Sequence, residues 1–285
     1  METQSIGGLE IQSTDSTSAS KYVVDLARHR ASKPIHLANA YTIALADRDD
    51  GYRQLFLNRG IVFADGKPIT WFFSRLTRQT PPQIQQVRGP QLFLDVLDIG
   101  RSSDVRHFLL GSTDEVLQRM RGRLAERFVG LEIVGAYSPP FRPLTAEEIE
   151  YQDALIRHSD ADVVWVGLGT PKQDFEAARV AESTCRLAVA VGAAFDFAAG
   201  TLRVAPQWMQ RAGLEWLFRL ASEPDAYGGD TSSEMPGSYG RYYDGSGPSA
   251  MPDNVHRPPL THTVIPSTRR RGHREHPTAQ LPMLT

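Results

Sequence analysis

The stretch from Asp162 to Asp174, DVVWVGLGTPKQD, constrains the fold more than any other part of the chain. Val163, Val164, Trp165 and Val166 form a continuous branched and aromatic run, which suits a strand buried on both faces of a parallel sheet. The run stops at Gly167. Gly167 and Gly169 let the backbone turn tightly or approach a ligand, and Pro171 suits the first turn of a helix. A strand, turn and helix in that order present free amides to an anion. In open α/β sheets the crevice beyond the carboxyl ends of the strands is the usual ligand site. Lys172 and Gln173 would sit at its mouth. The same three parts also occur in α/β proteins with nothing bound, so the pattern alone leaves a ligand site and a plain structural corner both open. It is neither a dinucleotide fingerprint, because Lys172 stands where a third glycine is needed, nor a Walker A loop.

The surrounding pattern extends this unit into an α/β alternation. Helix Lys21 to His29 leads to strand Pro34 to Leu37, and helical spacing over Tyr41 to Asp47 and Tyr52 to Asn58 precedes strand Ile61 to Phe63. Asp65-Gly66 just beyond that strand reads either as a catalytic carboxylate or as an ordinary turn. Helix Ile69 to Leu76, a Pro- and Gln-rich loop at Gln79 to Gln86, and a helix from Gln91 to about Gly100 come next. Strand His107 to Leu110, the Gly111 turn, helix Asp114 to Phe128 and strand Glu132 to Ala136 follow. Helix Thr145 to His158 opens with Thr145 and Glu148 spaced as a capping box. After the central strand come helix Gln173 to Glu182, strand Leu187 to Val191 and the Gly192 to Asp196 corner. Such alternation predicts an α/β fold with an open, mostly parallel, Rossmann-like sheet covered by helices on both faces.

Three regions are predicted. Residues 1–20, rich in Ser, Thr and Gly, read as a disordered leader, residues 21–224 as the α/β domain, and residues 225–285 as a disordered or atypical tail rich in Gly and Pro. The last helical pattern, Trp208 to Ala221, reads as core through Trp208, Leu214, Trp216 and Leu217. In the tail, Arg269 to Arg271 form a basic run that reads first as a solvated cluster. A net charge of −2 gives no general attraction to nucleic acid, and none is predicted as a partner. The single cysteine, Cys185, rules out an intramolecular disulfide and a cysteine-based zinc site, and fits a reducing, cytoplasmic compartment. No apolar run is long enough to span a bilayer, so any membrane contact would be peripheral.

FADG at 63–66, VRGPQLF at 87–93, FLLGS at 108–112, VGLGTPKQD at 166–174, VGAAFDFAAGTLRVAP at 191–206 and WMQRAGLEWLFRL at 208–220 together resemble the WecG/TagA/CpsF glycosyltransferase family. The resemblance is ordered and spans about Pro34 to Pro224. It implies an inverting transferase without metal or other cofactor. Such an enzyme moves N-acetylmannosamine or a related hexosamine or uronic acid from a UDP donor to a polyprenyl-diphosphate-linked sugar at the inner face of the cell membrane, in polysaccharide or teichoic acid synthesis. On the matching positions Asp65 is the general base, Asn39 orients a sugar hydroxyl, Gln173 lies near the donor and Asp196 reaches uridine or ribose. Gly167 and Gly169 close on the diphosphate; Gly89, Gly111 and Gly192 belong to the same substrate-binding motifs, and Arg88, Lys172 and Arg203 are the cations available to the departing UDP.

Two Asp-x-Asp matches, Asp47 to Asp49 and Asp160 to Asp162, sit in a helix connection and before a strand, so neither is predicted to face the crevice. The chain departs from the family pattern at Leu37, Gln86 and Gln91, where threonine, arginine and aspartate are common, and in DAYGGDTSSEMPGSYG after Pro224, where a basic, apolar helical appendage is usual. The alternative function is a nucleotide-sugar-binding or regulatory homologue that has lost transfer.

Overall fold

The computed structural model describes residues 1–57, 60–77 and 84–202, with the single positions 206 and 209. The chain opens on a hairpin, β1 (Thr3–Ile6) and β2 (Leu9–Gln12), which corrects the expected disordered leader. Gly7 and Gly8, both with positive φ (57° and 78°), form the two-residue turn between the paired Ile6 and Leu9. That is the glycine-rich connection whose twist suits a hairpin. Ile6, Leu9 and Ile11 alternate into the core, an apolar pattern that the polar composition masked. The Ser/Thr-rich segment after it caps a helix: Asp15 accepts the N–H of Ser18 at 2.9 Å and starts α1 (Ser16–Arg28).

The expected alternation follows as β3 (Pro34–Ala38), α2 (Ala40–Arg48), α3 (Asp50–Leu57), β4 (Ile61–Ala64), α4 (Lys67–Thr77) and α5 (Gly89–Gly100). A short 3-10 turn, Arg101–Ser103, leads to β5 (Arg106–Gly111), α6 (Asp114–Arg127), β6 (Glu132–Tyr137), α7 (Ala146–Ser159), β7 (Val163–Gly167), α8 (Lys172–Thr184), β8 (Leu187–Ala190) and α9 (Ala194–Ala199). The capping box at Thr145 and Glu148 is formed in both directions. Among the described residues the strands make one sheet of order β1-β2-β4-β3-β8-β7-β5-β6, parallel apart from the β1–β2 hairpin.

Residue alternation along the strands divides the core. Ile35 and Leu37 of β3, Phe63 of β4, Trp165 of β7 and Val189 of β8 face one side, where α1, α5, α6 and α9 cover them. Val62 and Ala64 of β4 face the other side with α2, α3, α4 and Phe175 of α8. Phe108, Val164 and Ala188 share that second side with α7 and α8. Connections that move along the sheet toward β6 cross over the first face through α1, α5 and α6, and those that return run over the second, as right-handed crossovers require. Trp165, fully buried at the centre, meets Phe93 of α5 edge-on, with ring centroids 5.0 Å apart at 88°.

The switch in direction falls between β3 and β8. β3 leads into helices on the second face and β8 into α9 on the first, so their carboxyl ends diverge. Their pairing is carried by Pro34–Ala188 and Ile35–Val189, whereas β3–β4 pairing continues to Ala38–Ala64 and β7–β8 pairing to Val166–Ala190. The β3–β8 ladder thus ends at Ile35–Val189, at the switch point where the crevice beyond the strands' carboxyl ends is the usual ligand position in open sheets of this kind.

Candidate active site

One wall of the crevice is built from the ends of β3 and β4. Register sets Ala38 beside Ala64, so Asn39 and Asp65 emerge as neighbours, and the Asp65 N–H donates to the Ala38 carbonyl at 2.7 Å. Asn39 also caps α2. Its Oδ1 accepts from the Thr42 N–H at 3.0 Å and from the Thr42 hydroxyl at 3.3 Å. The acceptor half of the amide is thus spent on the helix, which leaves the NH₂ half as a donor. Asp65 is half-buried and precedes Gly66, whose φ of 104° turns the chain into α4. Val87 ties the next segment to the same wall by donating to Ala64 O at 2.8 Å, which places half-buried Arg88 at the start of α5.

The other wall comes from the corners after β7 and β8. Gly169 takes a φ of 77° with open space where a Cβ would lie, so conformation requires the glycine there, and its carbonyl accepts the Gln173 N–H at 2.9 Å. Gln173 is 4% exposed. Its Oε1 accepts the N–H of Gly192 at 2.9 Å and its Nε2 donates to Thr170 Oγ1 at 3.3 Å. Both ends of the amide are thus engaged, and Gln173 joins the two corners. Lys172 is half-buried, with Nζ 5.7 Å from the centre of the fully exposed Phe141 ring. Burial lowers the pKa of its ammonium, against the opposing pull of Glu176. A partly dehydrated cation at a crevice mouth gains from an incoming anion.

The remaining expected site residues serve several purposes. A Cβ on Gly167 would stand 2.8 Å from the ring of Phe195, and one on Gly89 would stand 2.8 Å from Val191 O and 3.0 Å from Leu37 Cδ1. In both places the missing side chain lets a helix approach the sheet. Gly111 has a φ of 122°, and a Cβ there would strike the carbonyl of Gly167. Asp196 lies on α9 and uses Oδ1 to accept the Thr201 hydroxyl at 3.1 Å. Leu37 is buried beneath Gly89, so it departs from the family pattern in the core and not on the rim. Gln91 donates to Asp95 at 2.6 Å on the exposed side of α5. Arg203, the Trp208 to Ala221 pattern, residues 225–285 and Arg269 to Arg271 lie outside the described residues.

The Asp-x-Asp pairs are bound up elsewhere. Asp49 accepts the N–H of Tyr52 at 3.0 Å and caps α3. Asp160 and Asp162 lie before β7, at the amino ends of the strands, where Arg106 meets both and Arg30 stands 3.2 Å from Asp160. Among the described residues no three His, Cys, Asp or Glu side chains gather as a metal ligand set, and no helix is long and apolar enough to cross a membrane.

One cluster behind the crevice had no sequence signal. Asp174 of α8 accepts from the Tyr52 phenol at 2.7 Å and lies 3.0 Å from Nδ1 of His36, and all three side chains are buried. A histidine in an apolar strand and a tyrosine on a helix many residues away carry no spacing that pairs them. Ser112 was also missed as a feature. It has a φ of 59° after Gly111, held by its own N–H to Gly167 O at 3.2 Å and by the Ser138 hydroxyl on its carbonyl at 2.7 Å.

The crevice thus sets an amide and a carboxylate on one wall against glycine corners and a lysine on the other. That is the equipment for holding an anionic leaving group while a hydroxyl is deprotonated. The model of the family described as glycosyl transferase WecG/TagA/CpsF matches residues 4–236, starting within the hairpin and passing beyond Pro224. The chain belongs to the WecG/TagA/CpsF family of glycosyl transferases, enzymes of cell-surface polysaccharide synthesis that act on a sugar donor and an acceptor.

Proposed function

We propose that this glycosyltransferase moves a hexosamine-type sugar, N-acetylmannosamine or a close relative, from UDP to a polyprenyl-diphosphate-linked sugar, with inversion and without a metal. The observation that carries the reading is the placement of Asp65 beside Asn39 at the carboxyl end of paired strands, across the crevice from the corners joined by Gln173. In this reading the acceptor hydroxyl attacks the anomeric carbon from the β3–β4 wall and passes its proton to the Asp65 carboxylate. The bond from the anomeric carbon to the UDP oxygen breaks on the opposite side. The leaving diphosphate takes up that electron pair against the amides of the Gly167 to Gly169 and Gly192 corners, with Lys172 at the mouth and Arg88 and Arg203 as further cations. Asn39 offers its NH₂ to a sugar hydroxyl and Asp196 faces the nucleoside. Attack from one wall with departure toward the other is the geometry of inversion.

The acceptor places the enzyme at the inner face of the membrane, through peripheral contact. The test is transfer from UDP-N-acetylmannosamine to a short-chain lipid-diphosphate disaccharide precursor in the presence of chelator, followed by NMR of the product's anomeric configuration. A β-linked product from the α-linked donor supports the reading. Retention of configuration, or activity only with added magnesium or manganese, overturns it. A chain that binds UDP and never transfers is the nucleotide-sugar-binding alternative.

A further inference from the structure

The two walls of the crevice belong to different parts of the sheet. Asn39 and Asp65 hang from β3 and β4, while Gln173, Lys172 and Gly192 hang from β7 and β8, and strand pairing between the two halves ends at Ile35–Val189. Something other than backbone pairing must fix the distance between the walls beyond that point.

On the first face the contact is the close approach of Gly89 to Val191 and Leu37. On the second face it is polar. His36, the first residue of β3 beyond the last pair, reaches Asp174, the residue after Gln173, with Nδ1 3.0 Å from Oδ1. Tyr52 of α3 donates to the other oxygen of Asp174 at 2.7 Å. Nδ1 of His36 faces the carboxyl group of Asp174 as its donor, and Nε2 is buried with no hydrogen-bond partner among the described residues. The cluster is dry: His36 is 0%, Tyr52 2% and Asp174 2% exposed. His36 also packs on Phe56, with ring centroids 4.7 Å apart, and Tyr52 on Phe175, at 5.6 Å. Burial, then Asp174, raises the pKa of the Tyr52 phenol well above its ordinary value, so it remains a donor.

A hydrogen-bonded carboxyl group inside an apolar layer is costly if a partner is lost, which makes this contact stiff. It spans the two strands beyond the end of the β3–β8 ladder. We propose that His36, Asp174 and Tyr52 form a brace that holds the Asp65–Asn39 wall in register with the donor wall, so that His36 and Tyr52 are positioning residues for transfer. The inference rests on the function proposed above for its kinetic consequence and on the fold alone for the brace. Loosening it leaves the donor corners, which are tied to each other by Gln173, able to bind UDP, and displaces the base from the anomeric carbon. Misplacement on the order of 1 Å can cost about 100-fold in rate.

The experiment compares the full-length wild type with His36→Ala, His36→Asn and Tyr52→Phe. It measures kcat, donor KM, UDP affinity by calorimetry, and amide hydrogen exchange by mass spectrometry. Asparagine can place a donor near the position of Nδ1. The expected result for His36→Ala is a kcat lower by roughly 10- to 100-fold with UDP affinity within about 3-fold of wild type. Faster exchange is expected over residues 37–42 and 170–176 but not 106–111, with most of the kcat recovered in His36→Asn. An unchanged kcat, a parallel fall in UDP affinity, or a folded His36→Asn no better than His36→Ala overturns the brace. If His36→Ala does not fold, Tyr52→Phe carries the test: a several-fold fall in kcat at constant UDP affinity supports the brace and wild-type kcat overturns it. Should wild type itself transfer nothing, the proposed function fails while exchange still judges the brace: unchanged exchange over 37–42 in Tyr52→Phe overturns it, and faster exchange there supports it.

Discussion

The side-chain oxygen of Gln173 accepts the main-chain N–H of Gly192 at 2.9 Å, so the corner after β7 and the corner after β8 are held as one surface. Removing that acceptor leaves an amide at the crevice wall without its partner, a loss on the order of 1–2 kcal/mol. Gln173→Ala is therefore expected to weaken UDP binding by about 10-fold and to speed hydrogen exchange at Gly192. Calorimetry and exchange on the same preparation check it, and unchanged UDP affinity would mean that the joined corners do not form the donor surface.

Asp65→Asn keeps the size and the strand-end position of the side chain and removes its basicity. Transfer is expected to fall by roughly 100-fold or more while UDP affinity stays near that of wild type. Steady-state kinetics beside calorimetry separate the two. Near-normal turnover would return Asp65 to the role of a turn residue before Gly66.

Lys172 sits half-buried beside Phe141, with its ammonium pKa lowered by burial, so a diphosphate is expected to stabilise its charged form. UDP should bind with chelator present, and Lys172→Met should weaken that binding by roughly 10-fold and make it less sensitive to salt. Titrations at two ionic strengths decide the matter. Binding that appears only after a divalent metal is added contradicts it, as does a salt dependence that Lys172→Met leaves unchanged.

The legible parts of this fold were those where side-chain pattern and backbone state coincide. Val163 to Val166, buried on both faces, and Thr145 with Glu148 wrote their structure into local sequence. The hairpin at residues 3–12 did not, because its apolar side is only Ile6, Leu9 and Ile11 set among polar residues and two glycines. The site divides in the same way. Gly169 could be recognised as a corner from its neighbours, but Gly167, Gly89 and Gly111 are glycine because Phe195, Val191 and Gly167 itself come close, and those distances are tertiary. What engages Gln173 was hidden in the sequence: its partner, Gly192, lies in the corner after another strand.

A pH dependence of stability follows from His107, which lies near the start of β5 and is fully buried. Trp165 donates its indole N–H to Nδ1 at 3.1 Å, so the imidazole is an acceptor there, and Nε2 has no partner among the described residues. Burial pushes its pKa from 6.5 down to about 3, with only Asp162 pulling the other way. The ring is thus neutral in the fold and takes a proton readily only when the chain unfolds. Between pH 6.5 and about 3 the unfolded state binds the extra proton, so stability from this group is fully present above pH 6.5 and is lost as pH falls toward 3. The slope for one such group approaches about 1.4 kcal/mol per pH unit within that window. His107→Gln keeps an acceptor near the Trp165 indole and removes the titration. Urea denaturation at intervals from pH 7.5 to 4.5 is expected to show wild type losing stability more steeply than His107→Gln, with the two curves differing by close to one proton below pH 6. Parallel curves would mean that His107 binds its proton alike in the folded and unfolded chain, which removes this histidine as a source of acid sensitivity.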